Sequence, residues 1–314
     1  MRVALVTICL ALSLLALPSS ANKVQPREAA NKRPSLDIRI QEGGWGNAPT
    51  TEIEALLQAV ASELLPYFPG RELSPIVVSH SDETPIVLYE KGADDEYQMH
   101  LCATSTRWPQ YAYEFAHELC HVLSNYERHV VPGMSRRHQW FEESLCEVAS
   151  LYTLKRMTHT WLNAAPDPNW AGHGPSFGQF AQRFFAEPHR QLSPNARFPA
   201  WFEQHQRDLS RNPYLRQHNE VVANLMLPLF ERHPQGWGAL SYLNLDPKAS
   251  TSNFHDYLRR WHNTVPQEQK SLVREIMALF GVTDSELEGS TIAAPSAVRM
   301  PGNIEIGPAG STAQ

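Results

Sequence analysis

From residue 36 onward short apolar runs alternate with polar positions, and beyond Pro109 the pattern changes to the 3.6-residue period of helices. "LDIRI" (36–40) alternates as a strand does and leads into "GGWGN", a turn signal. A helix is predicted through "EIEALLQAVASELL", capped by Thr50 or Thr51 and closed by Pro66 and Pro69-Gly70. "PIVVSH" (75–80) and "PIVLYEK" (85–91) are β-branched runs separated by polar turn residues, the pattern of a hairpin. "EYQMHLCAT" (96–104) alternates as a further strand. After it, helices are predicted over 110–125, 138–158, about 176–186, 197–209, 214–232, 236–244, 251–262 and 266–280. The expected fold class is therefore α+β: a small mixed helix/strand part at 36–125, followed by a mainly helical part at 126–288.

The two ends differ from this body. Arg2, the apolar run Val3–Leu17 and the small residues of "PSSA" describe a secretory signal peptide over 1–21, cut after Ala21. Residues 22–35 read as a polar linker, and 289–314, rich in Gly, Pro, Ser, Thr and Ala, as a mobile tail. The expected location is outside the cytoplasm, periplasmic or secreted, with no stable membrane span once the signal is removed. Signal removal takes away Cys9 and leaves Cys102, Cys120 and Cys146, an odd number for an oxidising compartment. A hydrophobic content of 42% with 19% charged residues is ordinary for a globular protein. The formal charge of −6 provides no basic field for nucleic acid. Neither a GxxxxGK[ST] nor a GxGxxG phosphate loop occurs.

The chemistry concentrates in "YAYEFAHELCHVLSN" (111–125), which contains His117-Glu118-Leu119-Cys120-His121. Two histidines four apart on a helix point the same way and can clamp one ion. At 100° per residue Ala112, Phe115, Ala116, Leu119, Val122 and Leu123 form one apolar face, while Glu114, His117, Glu118 and His121 lie opposite. In the next helix, "WFEESLCEVASLY" (140–152), Phe141, Leu145, Val148 and Tyr152 form the core face. Glu143, Cys146, Glu147 and Ser150 form the other, with Glu142 about 100° from Glu143 at the edge of the core face. Glu143 is thereby placed to reach an ion held by His117 and His121, and Glu147 to accept a hydrogen bond from a ligand histidine. Cys120 and Cys146 are expected to lie near each other, on the positions that flank these ligands.

"AHELCHVL" followed after 21 residues by Glu143 in "WFEESLCEVA" resembles the gluzincin zinc metalloproteases, whose pattern is HExxH with a downstream W-x-x-E-[GS]-x-[AC]-E. Trp140, Glu143, Ser144 and Glu147 match it, and the strand part before a helical part resembles the minimal members of that clan. The resemblance implies a zincin-type helical subdomain at 126–288 with the active-site cleft between the two parts. It further implies Zn²⁺ on His117, His121 and Glu143, and a zinc-bound water activated by Glu118 to hydrolyse a peptide or protein substrate. A Tyr or His in the helical part would stabilise the oxyanion, with Tyr214 and His218 as candidates and His173 behind them. The strand at 96–104 would be the edge that pairs with an extended peptide. A second reading keeps the zinc but not the turnover, giving a zinc-binding, catalytically inactive binding protein of the envelope.

Overall fold

The computed structural model describes residues 36–166 and 170–282. The expected signal peptide, linker and tail lie outside them. The alternating stretches form a four-stranded sheet from β1 (Ile38–Ile40), β2 (Ile76–His80), β3 (Ile86–Val87) and β4 (Tyr97–Leu101), in the order β1-β2-β4-β3. β1, β2 and β4 are parallel, and β3 runs antiparallel to β4. The expected hairpin between 75–80 and 85–91 therefore does not form. Both edges of β2 are taken by parallel neighbours, so the run at 86–87 pairs with the free edge of β4, Ile86 opposite His100 and Val87 opposite Met99. The stretch 96–104, expected at the edge, lies inside the sheet, and the edge belongs to β3.

Alternation decides which face of the sheet is covered. Ile76, Val78, Met99 and Leu101 are fully buried, while their neighbours Val77, Ser79, Gln98 and His100 are half-buried. Helix α1 (Thr50–Leu64) links β1 to β2 and contributes Ile53, Leu56, Leu57 and Val60 to the core. Its cap position is Pro49, with no side-chain cap, and the Thr50 hydroxyl donates instead to Glu42 at 3.3 Å.

The helical part comprises α2 (Trp108–Leu123), α3 (Gln139–Ala164), α4 (Gly174–Phe185), α5 (Phe198–Arg211), α6 (Arg216–Arg232), α7 (Pro247–Thr251), α8 (Phe254–Thr264) and α9 (Lys270–Leu279). A mostly helical chain with one small mixed sheet is an α+β fold. The stretch expected as a helix at 236–244 is a 3-10 helix over Pro234–Tyr242. There the chain passes so close to its neighbours that a Cβ on Gly238 would stand 2.7 Å from the Tyr67 carbonyl oxygen. The short α7 was not expected. The Asp246 side chain accepts from the Lys248 N–H at 2.9 Å and so caps it.

α2 packs against α3 and is buried almost all round: Glu114, Glu118 and His121 are buried as well as Phe115 and Leu119. On its polar face Glu118 meets β3, His117 and His121 meet α3, and Glu114 holds the backbone N–H groups of Cys102 and Ala103. The start of α3 is anchored by an aromatic cluster in which Trp140 and Phe141 meet Phe254 at centroid distances of 4.7 and 5.3 Å. Truncating a fully buried ring such as Phe141 to Ala costs about 3–5 kcal/mol, so the position of Glu142 and Glu143 is strongly determined. Among the described residues no helix is long and apolar enough to cross a membrane.

Candidate metal centre

His117 and His121, one turn apart on α2, face the first turns of α3. Glu143 Oε2 lies 3.4 Å from His117 Nε2 and 3.6 Å from His121 Nε2. These separations are long for hydrogen bonds. They fit a different purpose: ligand bonds of about 2.0–2.1 Å in a tetrahedron put neighbouring ligand atoms about 3.3–3.4 Å apart. Burial alone would raise the Glu143 carboxyl, but the imidazoles of His121 and His117 outweigh it and hold it well below the ordinary carboxylate value. Cys146 Sγ also lies within 4.8 Å of ligand atoms of both histidines. Its thiol is pushed well above the ordinary value by burial and by contact with the Cys120 thiol. Cys120 and Cys146 are thus neighbours, as expected, and both are free thiols. The triad of His117, His121 and Glu143 thus brings two imidazole nitrogens and a carboxylate together, with the Cys146 thiol as a further neighbour of both histidines.

Around this triad the helices run antiparallel, so that Tyr113 meets Glu147 while His121 meets Glu142. Glu142 Oε1 is 2.7 Å from His121 Nδ1, which fixes the tautomer and leaves Nε2 toward Glu143. The other oxygen of Glu142 is shared by His129 Nε2 at 2.7 Å and by the Asn244 amide. The helical wheel of α3 pointed to Glu147 for this role. Glu147 lies a turn too far along α3 for it, and accepts instead from the Tyr113 hydroxyl and, at 2.7 Å, from Arg190 Nη1. Glu142 carried a signal that would have found it: an acid at the edge of a core face needs buried donors.

Glu118 points to the opposite wall. Its Oε2 accepts from the Val87 backbone N–H at 2.8 Å. The β3–β4 register explains why that N–H is available. Leu88 N–H is used by the Gln98 carbonyl, and Val87, one residue earlier, turns its N–H away from β4. Burial raises the Glu118 carboxyl above its ordinary value, opposed by the imidazoles of His117 and His121 and by the Val87 N–H.

The triad and Glu118 open into a cleft of about 520 Å³, lined also by β3, Tyr89, Tyr126, Tyr214 and Arg216. Tyr214 is brought to the site. Its hydroxyl accepts from Gln139 Nε2 at 3.1 Å, and the same amide reaches the Tyr89 hydroxyl at 3.3 Å, a cleft residue the sequence did not single out. His218 is not brought there. One turn into α6 it faces α5, with its ring 4.7 Å from His205 and 5.7 Å from Trp201. His173 stands at the start of α4 beside Trp170 and does not line the cleft.

One further sequence pattern is explained by packing. Gly174-Pro175-Ser176-Phe177-Gly178 has the G-x-S-x-G form of a nucleophile elbow, which requires a strand-to-helix turn. Here it opens α4, and Ser176 Oγ donates to the His173 carbonyl at 2.6 Å. The glycines let α4 approach α3, since a Cβ on either would come within 3.0 Å of Thr158. The chain matches no protein-family model and no curated protein sequence.

Proposed function

We propose that the protein is an exported zinc-dependent peptidase of gluzincin type, with its cleft between the sheet part and the helical part. The observation that carries this reading is the spacing of Glu143 Oε2 from the two Nε2 atoms, 3.4 and 3.6 Å, close to the edge of a zinc coordination tetrahedron. His117 and His121 would hold the ion through Nε2, and Glu143 through its carboxylate. When bound, zinc supplies a Lewis acid and lowers the pKa of coordinated water to about 7.

The chain's own groups account for the proton movements. Glu118 Oε2 is held by the Val87 N–H, which leaves Oε1 to take a proton from the attacking water and pass it to the leaving amine. Its raised pKa brings it nearer neutrality, where proton transfer in both directions is efficient. The Tyr214 hydroxyl accepts from Gln139, so its own proton is free to be donated to the oxyanion. Ile86, exposed on the edge strand of the sheet, marks where an extended peptide would lie, with the Val87 N–H already engaged by Glu118. Residues 1–21 support export.

The test is metal analysis alongside chelator-sensitive cleavage of a peptide library. The reading expects one zinc per chain, retained in wild type and lost or much weakened in Glu143→Ala. Retention of zinc by Glu143→Ala together with its loss in Cys146→Ala would overturn the ligand set. A zinc-loaded protein that cleaves nothing would favour the binding-protein reading.

A further inference from the structure

The cleft wall contains a cation that the proposed chemistry does not use. Tyr113, His117 and His121 lie on one face of α2, and Arg216, the first residue of α6, reaches that face one turn before His117, with Nη2 3.4 Å from the Tyr113 hydroxyl. The guanidinium is held in place: its Nε donates to Glu220 Oε1 at 2.8 Å, and that oxygen also accepts from Arg190 Nη2 at 2.8 Å. Arg190 is fully buried and also holds Glu147 at 2.7 Å.

This network decides the sign of the charge seen from the cleft. Glu187, His189 and Glu220 stand close enough together to suggest a second cation site. Arg190 already lies among them, donating to both Glu187 and Glu220, and would repel a metal ion. Glu147 and Glu220, 5% exposed and bound to Arg190, present little negative charge, whereas the Arg216 side chain is 68% exposed. Among the described residues no hydrogen bond or ion pair engages its Nη1. A positioned guanidinium with a free edge matches one ligand chemistry above others, a carboxylate.

We propose that Arg216 makes the α6 end of the cleft a carboxylate subsite, which selects peptides carrying a negative charge about two residues from the bond to be cleaved. The spacing follows from the helix: four residues rise about 6 Å, which two residues of extended peptide span. The inference rests on the peptidase reading above. The carboxylate is either the peptide's own C-terminus or an acidic side chain.

Two peptide pairs separate these sources: one with a free C-terminal carboxylate against its amide, the other with an internal Glu against Gln. With zinc-loaded protein, the charged member of at least one pair is expected to have a kcat/KM about ten- to a hundredfold higher, mostly through KM. In Arg216→Gln that ratio should fall to about one, and Arg216→Lys should retain part of it. A response in the first pair assigns the subsite to the C-terminus, and one in the second to a side chain. Equal rates within both pairs, or a preference that survives Arg216→Gln, would overturn the subsite and leave the peptidase reading standing. Cleavage of none of the four, nor of any library peptide, would overturn both.

Discussion

The backbone N–H of Val87 donates to Glu118 Oε2 at 2.8 Å, tying the edge strand of the sheet to the carboxylate proposed as base. This donor favours the ionised carboxylate and so opposes the rise that burial imposes. Val87→Pro removes it without touching the β3–β4 ladder, because the Val87 N–H does not pair with β4. Losing a donor to the charged form raises the pKa. The acidic limb of the kcat/KM profile should therefore move to higher pH, with activity near neutrality down about tenfold. Zinc content should be unchanged, and an unaltered pH profile would show that the contact does not tune the base.

A second prediction follows from the partner of His121. Glu142→Ala should weaken zinc binding about 10–100-fold, because it removes the acceptor that fixes the ring through Nδ1. Glu147→Gln should leave zinc affinity near wild type, since Glu147 is engaged by Tyr113 and Arg190. Competition with a chromophoric chelator measures both. Equal losses in the two variants would remove the distinction between these acids.

How much of this was legible in the chain depended on whether a signal was local. The spacing of His117, Glu118 and His121 is a property of one helix, and Glu143 follows from the wheel of the next. The pairing of β3 was not legible, because runs at 75–80 and 85–91 look alike whether they join each other or a later strand. His121, His129 and Asn244 come from three separated stretches, and only the folded chain brings them onto the Glu142 carboxylate. His218 failed for a related reason. Residues 214–218 carry both a Tyr and a His, and the turn into α6 sends them in different directions.

His138 should make stability depend on acidity. It is buried beside Tyr257 at 4.6 Å, its Nε2 is 3.0 Å from the Ser252 carbonyl, and burial lowers its pKa from 6.5 to about 4. A depressed folded-state pKa means the unfolded chain takes up the proton first. The stabilisation is therefore full above about 6.5 and is lost as pH falls toward 4. Between pH 7 and about 4.5 this one group should remove about 2 kcal/mol of unfolding free energy. Urea unfolding of wild type and His138→Gln at both pH values measures it. A variant that loses as much stability as wild type would assign the acid sensitivity elsewhere.

Glu118 should move protons without holding the metal, and Glu118→Gln tests this most directly. Its carboxylate lies against the Val87 N–H while Glu143 Oε2 faces both histidines, so an amide at 118 should leave the triad intact. The zinc-loaded Glu118→Gln protein should keep one zinc per chain and cleave peptide about 10²–10⁴-fold more slowly than wild type, the usual worth of general acid–base catalysis. Chelator-sensitive cleavage at the wild-type rate in that variant would contradict the mechanism, and loss of zinc with activity would make Glu118 part of the metal's support.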